Sequence, residues 1–230
     1  MKISKANLDS SPIMKAIVLL DRKMKEMNCP PLELNIVGGF ALIAKGIRKD
    51  VKQVTDVDYI GDDLPPEIKE IADKIGIQCG IGRGWLNNDL MLTGTSFEDI
   101  EYATGKLHFK DQMDLSVIRM RFLDDVDLLR MKLISLDTSL SAVEFGGDFS
   151  RMKDLRDIIR LKEYLHLDYI QMEEIAEDYL LEPDLVFDAI SAFEIGDSEQ
   201  VMRFINEIAN IEEISDIENI LKNENELELF

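Results

Sequence analysis

Asp56 and Asp58 stand one residue apart in the stretch Val54-Thr55-Asp56-Val57-Asp58-Tyr59-Ile60. On a strand, residues two apart share a face, so the two carboxylates project together. Like charges that close repel unless a cation sits between them, and Mg²⁺ with a nucleotide is the usual partner of such hard oxygen donors. Upstream, Gly38-Gly39 follows the apolar run that contains Leu34, Ile36 and Val37. A glycine pair where a strand turns into a helix lets backbone N–H groups approach phosphate with no Cβ in the way. These residue types in this order fit metal-assisted handling of a nucleoside triphosphate.

Other residues need weighing beside that pair. Asp125-Val126-Asp127 repeats the spacing, but at a helix start without a glycine pair, where acids complement the helix dipole. A two-metal site wants a third carboxylate on a neighbouring strand, and Asp114 is the candidate. Lys132 lies among Leu128, Leu129, Met131 and Leu133 on a helix, where a lysine either snorkels to water or serves a site. Asp154 and Asp157 are three apart beside Arg156 and Arg160, the pattern of an intrahelical ion-pair face. Trp85, the only tryptophan, is expected in the core rather than on a base. His108 and His166 have no partners at metal-ligand spacing, and no Ser/His/Asp or Cys/His set is present. The Gly-rich stretch Cys79 to Gly84 lacks the Lys-Ser/Thr ending of a phosphate loop and reads as a turn.

Four segments follow one another in order: Val37 to Ile60 with its glycine pair and Asp-x-Asp, Trp85 to Asp89, Leu128 to Leu133, and Lys153 to Ile158. Together they resemble the minimal nucleotidyltransferase superfamily, and within it the abortive-infection-type toxins of bacterial toxin–antitoxin pairs. The resemblance covers roughly residues 30–165. It implies transfer of a nucleotidyl group from a nucleoside triphosphate to an RNA, protein or small-molecule hydroxyl, with Mg²⁺ or Mn²⁺. It further implies Asp56, Asp58 and Asp114 as metal ligands and Gly38, Gly39, Lys132 and Asp157 as nucleotide contacts. Asp56, Asp58, Lys132 and Asp154 would be the catalytic set. Lys153 stands where arginine is common in those toxins. The alternative is the same fold kept as a binding module without turnover.

The elements that must position these residues are read from periodicity. Ser10-Ser11-Pro12 opens a helix, with a hydroxyl cap, that runs to Met27 and ends before Asn28 and Pro30-Pro31. Strands are expected at Leu34–Val37 and Val54–Ile60, with a helix from Phe40 between them. A helix follows from Glu67 to Ile75, closed by Gly76. Strands at 100–104, 107–109 and 113–120 surround a turn at Gly105-Lys106, with the register of the last left open. Helices then fill the rest: one from Asp124-Asp125 to Leu136, then 150–165, 169–181, 184–195 and 199–211. Ile214, Ile217, Ile220 and Leu221 keep helical spacing beyond them. The expected class is α/β (α+β), a small mixed sheet flanked by helices and followed by an all-helical region. Residues 1–137 form the α/β domain, and 138–230 an acidic helical region contributing to the site through 150–165.

The chain of 230 residues is long enough for a substantial core, and 46% apolar with 31% charged residues is an ordinary soluble composition. Its net charge of −20 is unevenly placed. Residues 1–162 carry 24 basic against 26 acidic residues; residues 163–230 carry two, Arg203 and Lys222, against 20. A near-neutral α/β part leaves a nucleic-acid acceptor open, while the acidic helices suit a basic protein partner. Cys29 and Cys79 read as two reduced thiols, and no apolar run is long enough for a signal peptide or a membrane span. The expected location is the cytoplasm.

Overall fold

The computed structural model describes residues 11–49, 54–88, 107–143, 153–176, 179–180 and 183–194, besides Ile3 and Leu8. The elements are α1 (Pro12–Glu26), β1 (Leu32–Ile36), α2 (Gly38–Ala44), β2 (Val57–Ile60), α3 (Pro66–Cys79), β3 (Leu86–Asn87), β4 (Phe109–Asp114) and β5 (Ile118–Leu123). Four helices follow: α4 (Asp125–Val143), α5 (Lys153–Leu165), α6 (Tyr169–Ala176) and α7 (Pro183–Glu194). The protein is therefore α+β, with a mixed sheet followed, among the described residues, by helices. It divides into two compact units, Met1–Leu128 and Leu129–Phe230, the boundary falling inside α4. No helix among the described residues is long and apolar enough to cross a membrane.

The sheet of the first unit has the order β3-β2-β1-β5-β4. β1 is antiparallel to β2 and parallel to β5; β3 is parallel to β2, and β4 antiparallel to β5. Alternation sorts its two faces. Leu34, Ile36, Val57, Tyr59, Ile118, Met120 and Phe122 are all buried. Glu33, Arg119 and Asp114, which pair across β1, β5 and β4, stand on the other face and are exposed. The helices bring Ile13, Ile17, Leu20 and Met24 from α1 and Ile68, Ala72 and Ile75 from α3 to the core.

Local chemistry sets several boundaries differently from the sequence expectation. The stretch 113–120 is not one strand: β4 ends at Asp114 and β5 starts at Ile118. The buried Asp21 of α1 holds that turn, its carboxylate accepting the N–H groups of Ser116 (3.1 Å), Val117 (2.7 Å) and Ile118 (2.9 Å). Burial pushes the Asp21 carboxyl up, but these backbone donors outweigh it and hold it below the ordinary value. The strand expected at 100–104 and the turn at Gly105-Lys106 lie outside the described residues, as do the helices expected beyond 195.

Gly76 does not close α3, which runs on to Cys79 and ends on Gly80 in the left-handed region. A helical glycine costs about 1 kcal/mol relative to alanine. A Cβ at Gly76 would run into the Gly82 carbonyl oxygen and the Trp85 indole, so glycine is what that packing allows. Trp85 is buried as expected, its Nε1 donating to the Ala72 carbonyl at 2.7 Å. Of the turn expected at Cys79 to Gly84, Cys79 is still helical and Gly80 to Gly84 form the turn, with Gly80, Gly82 and Gly84 at positive φ. Ser11 stands at the N-cap of α1, but its hydroxyl makes no capping bond.

In the second unit Leu133, Leu136 and Leu140 of α4, Leu155, Ile158 and Leu161 of α5, Met172 of α6 and Val186 and Ile190 of α7 are buried. Lys162 reaches both oxygens of Glu194, at 2.7 and 2.8 Å, and the Tyr169 hydroxyl donates to the same carboxylate, pinning α5, α6 and α7 together. Burial and that hydrogen bond push the Tyr169 phenol up to about 12. Neither cysteine forms a disulfide.

Candidate functional site

β1 hands over to α2 beside the middle of β2. The Val37 N–H donates to the Asp58 carbonyl at 2.9 Å, which sets Gly38 against the Asp58 side chain. Gly38 has φ +66°, the left-handed region that favours glycine. A Cβ there would collide with Asp58 Oδ2. Two independent constraints thus make this position glycine, and the second is the approach of a carboxylate to bare backbone. Gly39 is different: a Cβ would lie 3.3 Å from Arg48 Nη1 and 3.4 Å from Val54 Cγ2. That is a tight fit and not a collision.

Asp56 immediately precedes β2 and is exposed, while Asp58 is half-buried within the strand. Their two-residue spacing at this strand start puts both carboxylates toward the same side. The register adds two residues that sequence reasoning passed over. Asn87 of β3 pairs directly with Asp58, and Asn35 of β1 lies on the same face, paired with Ile60 and Arg121. The Asn35 amide oxygen is buried with no hydrogen-bond partner among the described residues. The Trp85–Asp89 segment held the signal for Asn87, but only strand pairing reveals which of its residues faces Asp58.

Asp114 is not brought to Asp58. It ends β4, and β5 and β1 intervene before β2. Its carboxylate is exposed and accepts from Arg119 Nε at 2.7 Å and from Gln112 Nε2 at 2.7 Å. The Arg119 hydrogen bond, helped by Gln112, holds it below the usual carboxylate range. Arg119 and Arg121 in turn reach Glu33 at 3.9 and 3.1 Å, so these residues form a charge ladder on the open face. The neighbouring-strand position that a third ligand would need belongs to Asn87.

The second Asp-x-Asp holds no metal-site geometry. Asp124 caps α4 by accepting from the Val126 N–H at 3.2 Å. Asp125 is 2.7 Å from Lys45, which also donates to Asp111 at 2.7 Å. Burial pulls the Lys45 amine down, but the two carboxylates outweigh it and leave it above its ordinary value. Asp127 accepts from the His108 backbone N–H at 2.8 Å and meets its ring at 3.0 Å.

In the second unit α4 and α5 hold Lys132 against Asp154 and Asp157. Lys132 Nζ donates to Asp154 and lies 3.1 Å from Asp157. Ser135 donates to Asp154 at 3.1 Å, and Arg160 stands 3.6 Å from Asp157. The side chains of Lys132, Asp154 and Asp157 are 13%, 1% and 2% exposed. The lysine therefore does not snorkel to water. Desolvation pulls its amine down, but the charges of Asp154 and Asp157 outweigh it and hold it above the ordinary lysine value. Asp154 and Asp157 likewise form more than an exposed intrahelical face, being buried around a cation from another helix.

Comparison with protein-family models, with curated proteins and with solved structures finds no match to this chain. The class defined by the fold is an α+β protein with a strand–glycine turn–helix unit set against an aspartate of the adjacent strand. Among the described residues no group of three or more acidic, histidine or cysteine side chains could hold a metal ion. Asp56 and Asp58 remain as a two-carboxylate donor set.

Proposed function

We propose that the chain is a metal-dependent nucleotidyltransferase, moving a nucleotidyl group from a nucleoside triphosphate to a hydroxyl of RNA, of protein or of a small molecule. The observation that carries the reading is the contact of the Asp58 carboxylate with the bare backbone of Gly38, with Asp56 two residues away. A carboxylate held that close to a glycine turn brings cation-binding oxygens beside backbone that phosphate can approach. Mg²⁺ is commonly held by one or two carboxylates together with substrate phosphates, a donor set that Asp56, Asp58 and a triphosphate would supply. When bound, the ion would neutralise charge on the phosphates and lower the barrier to displacement.

The chain's own part is positioning and proton handling. Gly38 leaves room for the Asp58 carboxylate, and Asp56, exposed at the strand start, would accept a proton from the attacking hydroxyl. The acceptor oxygen bonds to the α-phosphorus, the bond to the β-phosphate oxygen breaks, and pyrophosphate leaves. An RNA acceptor and a role in a toxin–antitoxin pair belong to this reading. Incubation of the chain with each α-labelled triphosphate, Mg²⁺ or Mn²⁺, total RNA and total protein tests it. Transfer of label to one acceptor, abolished by EDTA and by Asp58→Asn, is the expected result; label in no acceptor sinks turnover.

A second reading, a binding module without turnover, draws on two observations. Asn87 occupies the position facing Asp58 on the neighbouring strand. The Lys132 charge is spent on two buried aspartates. Metal-dependent triphosphate binding with no pyrophosphate released would favour this reading over the first.

A further inference from the structure

The first unit carries a surface that the proposed reaction does not use. α1 and α3 pack side by side and leave a groove of about 390 Å³ lined by Leu19, Arg22, Lys23, Ile71, Lys74 and Ile75. Four large apolar side chains are exposed among the described residues, Val18, Met27, Ile77 and Ile170. The first three belong to this helix pair and its caps. None of these three lines the groove, whose apolar lining is Leu19, Ile71 and Ile75.

The groove's lining sets Arg22, Lys23 and Lys74 against Glu26, a net positive rim in a chain of net charge −20. Arg22 has no charged partner among the described residues. Lys23 and Lys74 pair only with Glu26 (3.2 Å) and Glu70 (2.6 Å) of their own helices, in contacts more than half exposed. Exposed pairs of this kind contribute little and exchange readily for a better partner. An occupant that fits is an amphipathic helix with an apolar stripe and acidic flanks.

One stretch of the sequence carries that pattern of residues. Residues 199–221 carry six acidic residues against Arg203 alone, with Val201, Phe204, Ile208 and Ile211, then Ile214, Ile217 and Leu221, at helical spacing. We propose that the groove between α1 and α3 receives this acidic segment from a second copy of the chain. Such a contact joins two different surfaces, and it closes when two copies exchange segments reciprocally or when several form a ring.

Sedimentation velocity and light scattering of the full chain across protein and salt concentration test the proposal. Self-association is expected that rises with concentration and weakens as salt screens the charges. R22E/K23E/K74E should weaken it at least tenfold, as should E212K/E213K/E218K. Both sets in one chain should restore it, because the opposed charges are again complementary. L19S/I71S leaves every charge in place and should also weaken association, which covers a groove variant that fails to fold. A chain monomeric at every concentration overturns the proposal, whether its groove is empty, holds its own segment or serves another protein. Association that ignores both groove variants, or that the combined charge swap fails to restore, overturns it equally.

Discussion

Replacing Lys132 by Met removes a buried cation that lies within ion-pair distance of both Asp154 and Asp157. The two carboxylates are 1% and 2% exposed, and Arg160 stands 3.6 Å from Asp157. Breaking a buried ion pair by deleting one partner costs about 3–5 kcal/mol, because a charge is left without compensation. A unit the size of residues 129–230 loses about 4–8 °C of melting temperature per kcal/mol, so the transition of this unit should fall by more than about 10 °C. The pair also sets a pH limit. The Lys132 amine is held above its ordinary 10.5 in the folded chain. Its stabilisation is therefore complete below the unfolded value and lost as pH rises through the folded one. Urea unfolding followed by far-ultraviolet circular dichroism, from neutral to alkaline pH, reads both effects. Lys132→Met combined with Asp154→Asn and Asp157→Asn strands no charge and should recover much of the loss. A single Lys132→Met variant within about 1 kcal/mol of the parent would refute the buried-pair account.

Three other outcomes follow from the geometry. Asp114→Asn should leave metal-dependent nucleotide binding at the parent's level, checked by calorimetric titration; a loss of metal dependence would return Asp114 to the site. Gly38→Ala should cost about 1–2 kcal/mol from its left-handed backbone alone and should weaken triphosphate binding by displacing the Asp58 carboxylate. Gly39→Ala should do much less on both counts in the same thermal and titration assays. Asp21 is held below its unfolded value of 3.8, so its stabilisation is present above that pH and disappears as pH falls through the folded value. Asp21→Asn should flatten that acid limb in urea unfolding measured between about pH 2 and 6.

The sequence exposed the parts of this fold that local rules determine. Alternation around Leu34 and Ile36, helical spacing from Ile13 to Met24 and the glycine pair marked β1, α1 and the turn between β1 and α2. What local rules do not carry is pairing. Asp114 looks suitable because it follows Gln112-Met113 in a strand-like stretch, and only the order β3-β2-β1-β5-β4 shows two strands standing between it and β2. The hairpin turn at 115–117 contains no glycine or proline, since its backbone donors are satisfied by Asp21, 95 residues earlier. Gly76 was read as a helix stop although it serves close packing against Trp85. Lys132 among leucines marks a helix but leaves open whether its amine snorkels to water or serves a site, because its partners lie on another helix and are invisible to spacing.

Under the proposed function, Asp58, held against Gly38, binds a divalent cation together with a triphosphate. Isothermal titration of a nucleoside triphosphate into the parent and into Asp58→Asn, each with Mg²⁺ and with EDTA, tests it most directly. Binding by the parent only in Mg²⁺, with that dependence lost in a variant that melts as the parent does, is the predicted result. Equal, metal-dependent affinity in the folded Asp58→Asn variant would contradict it.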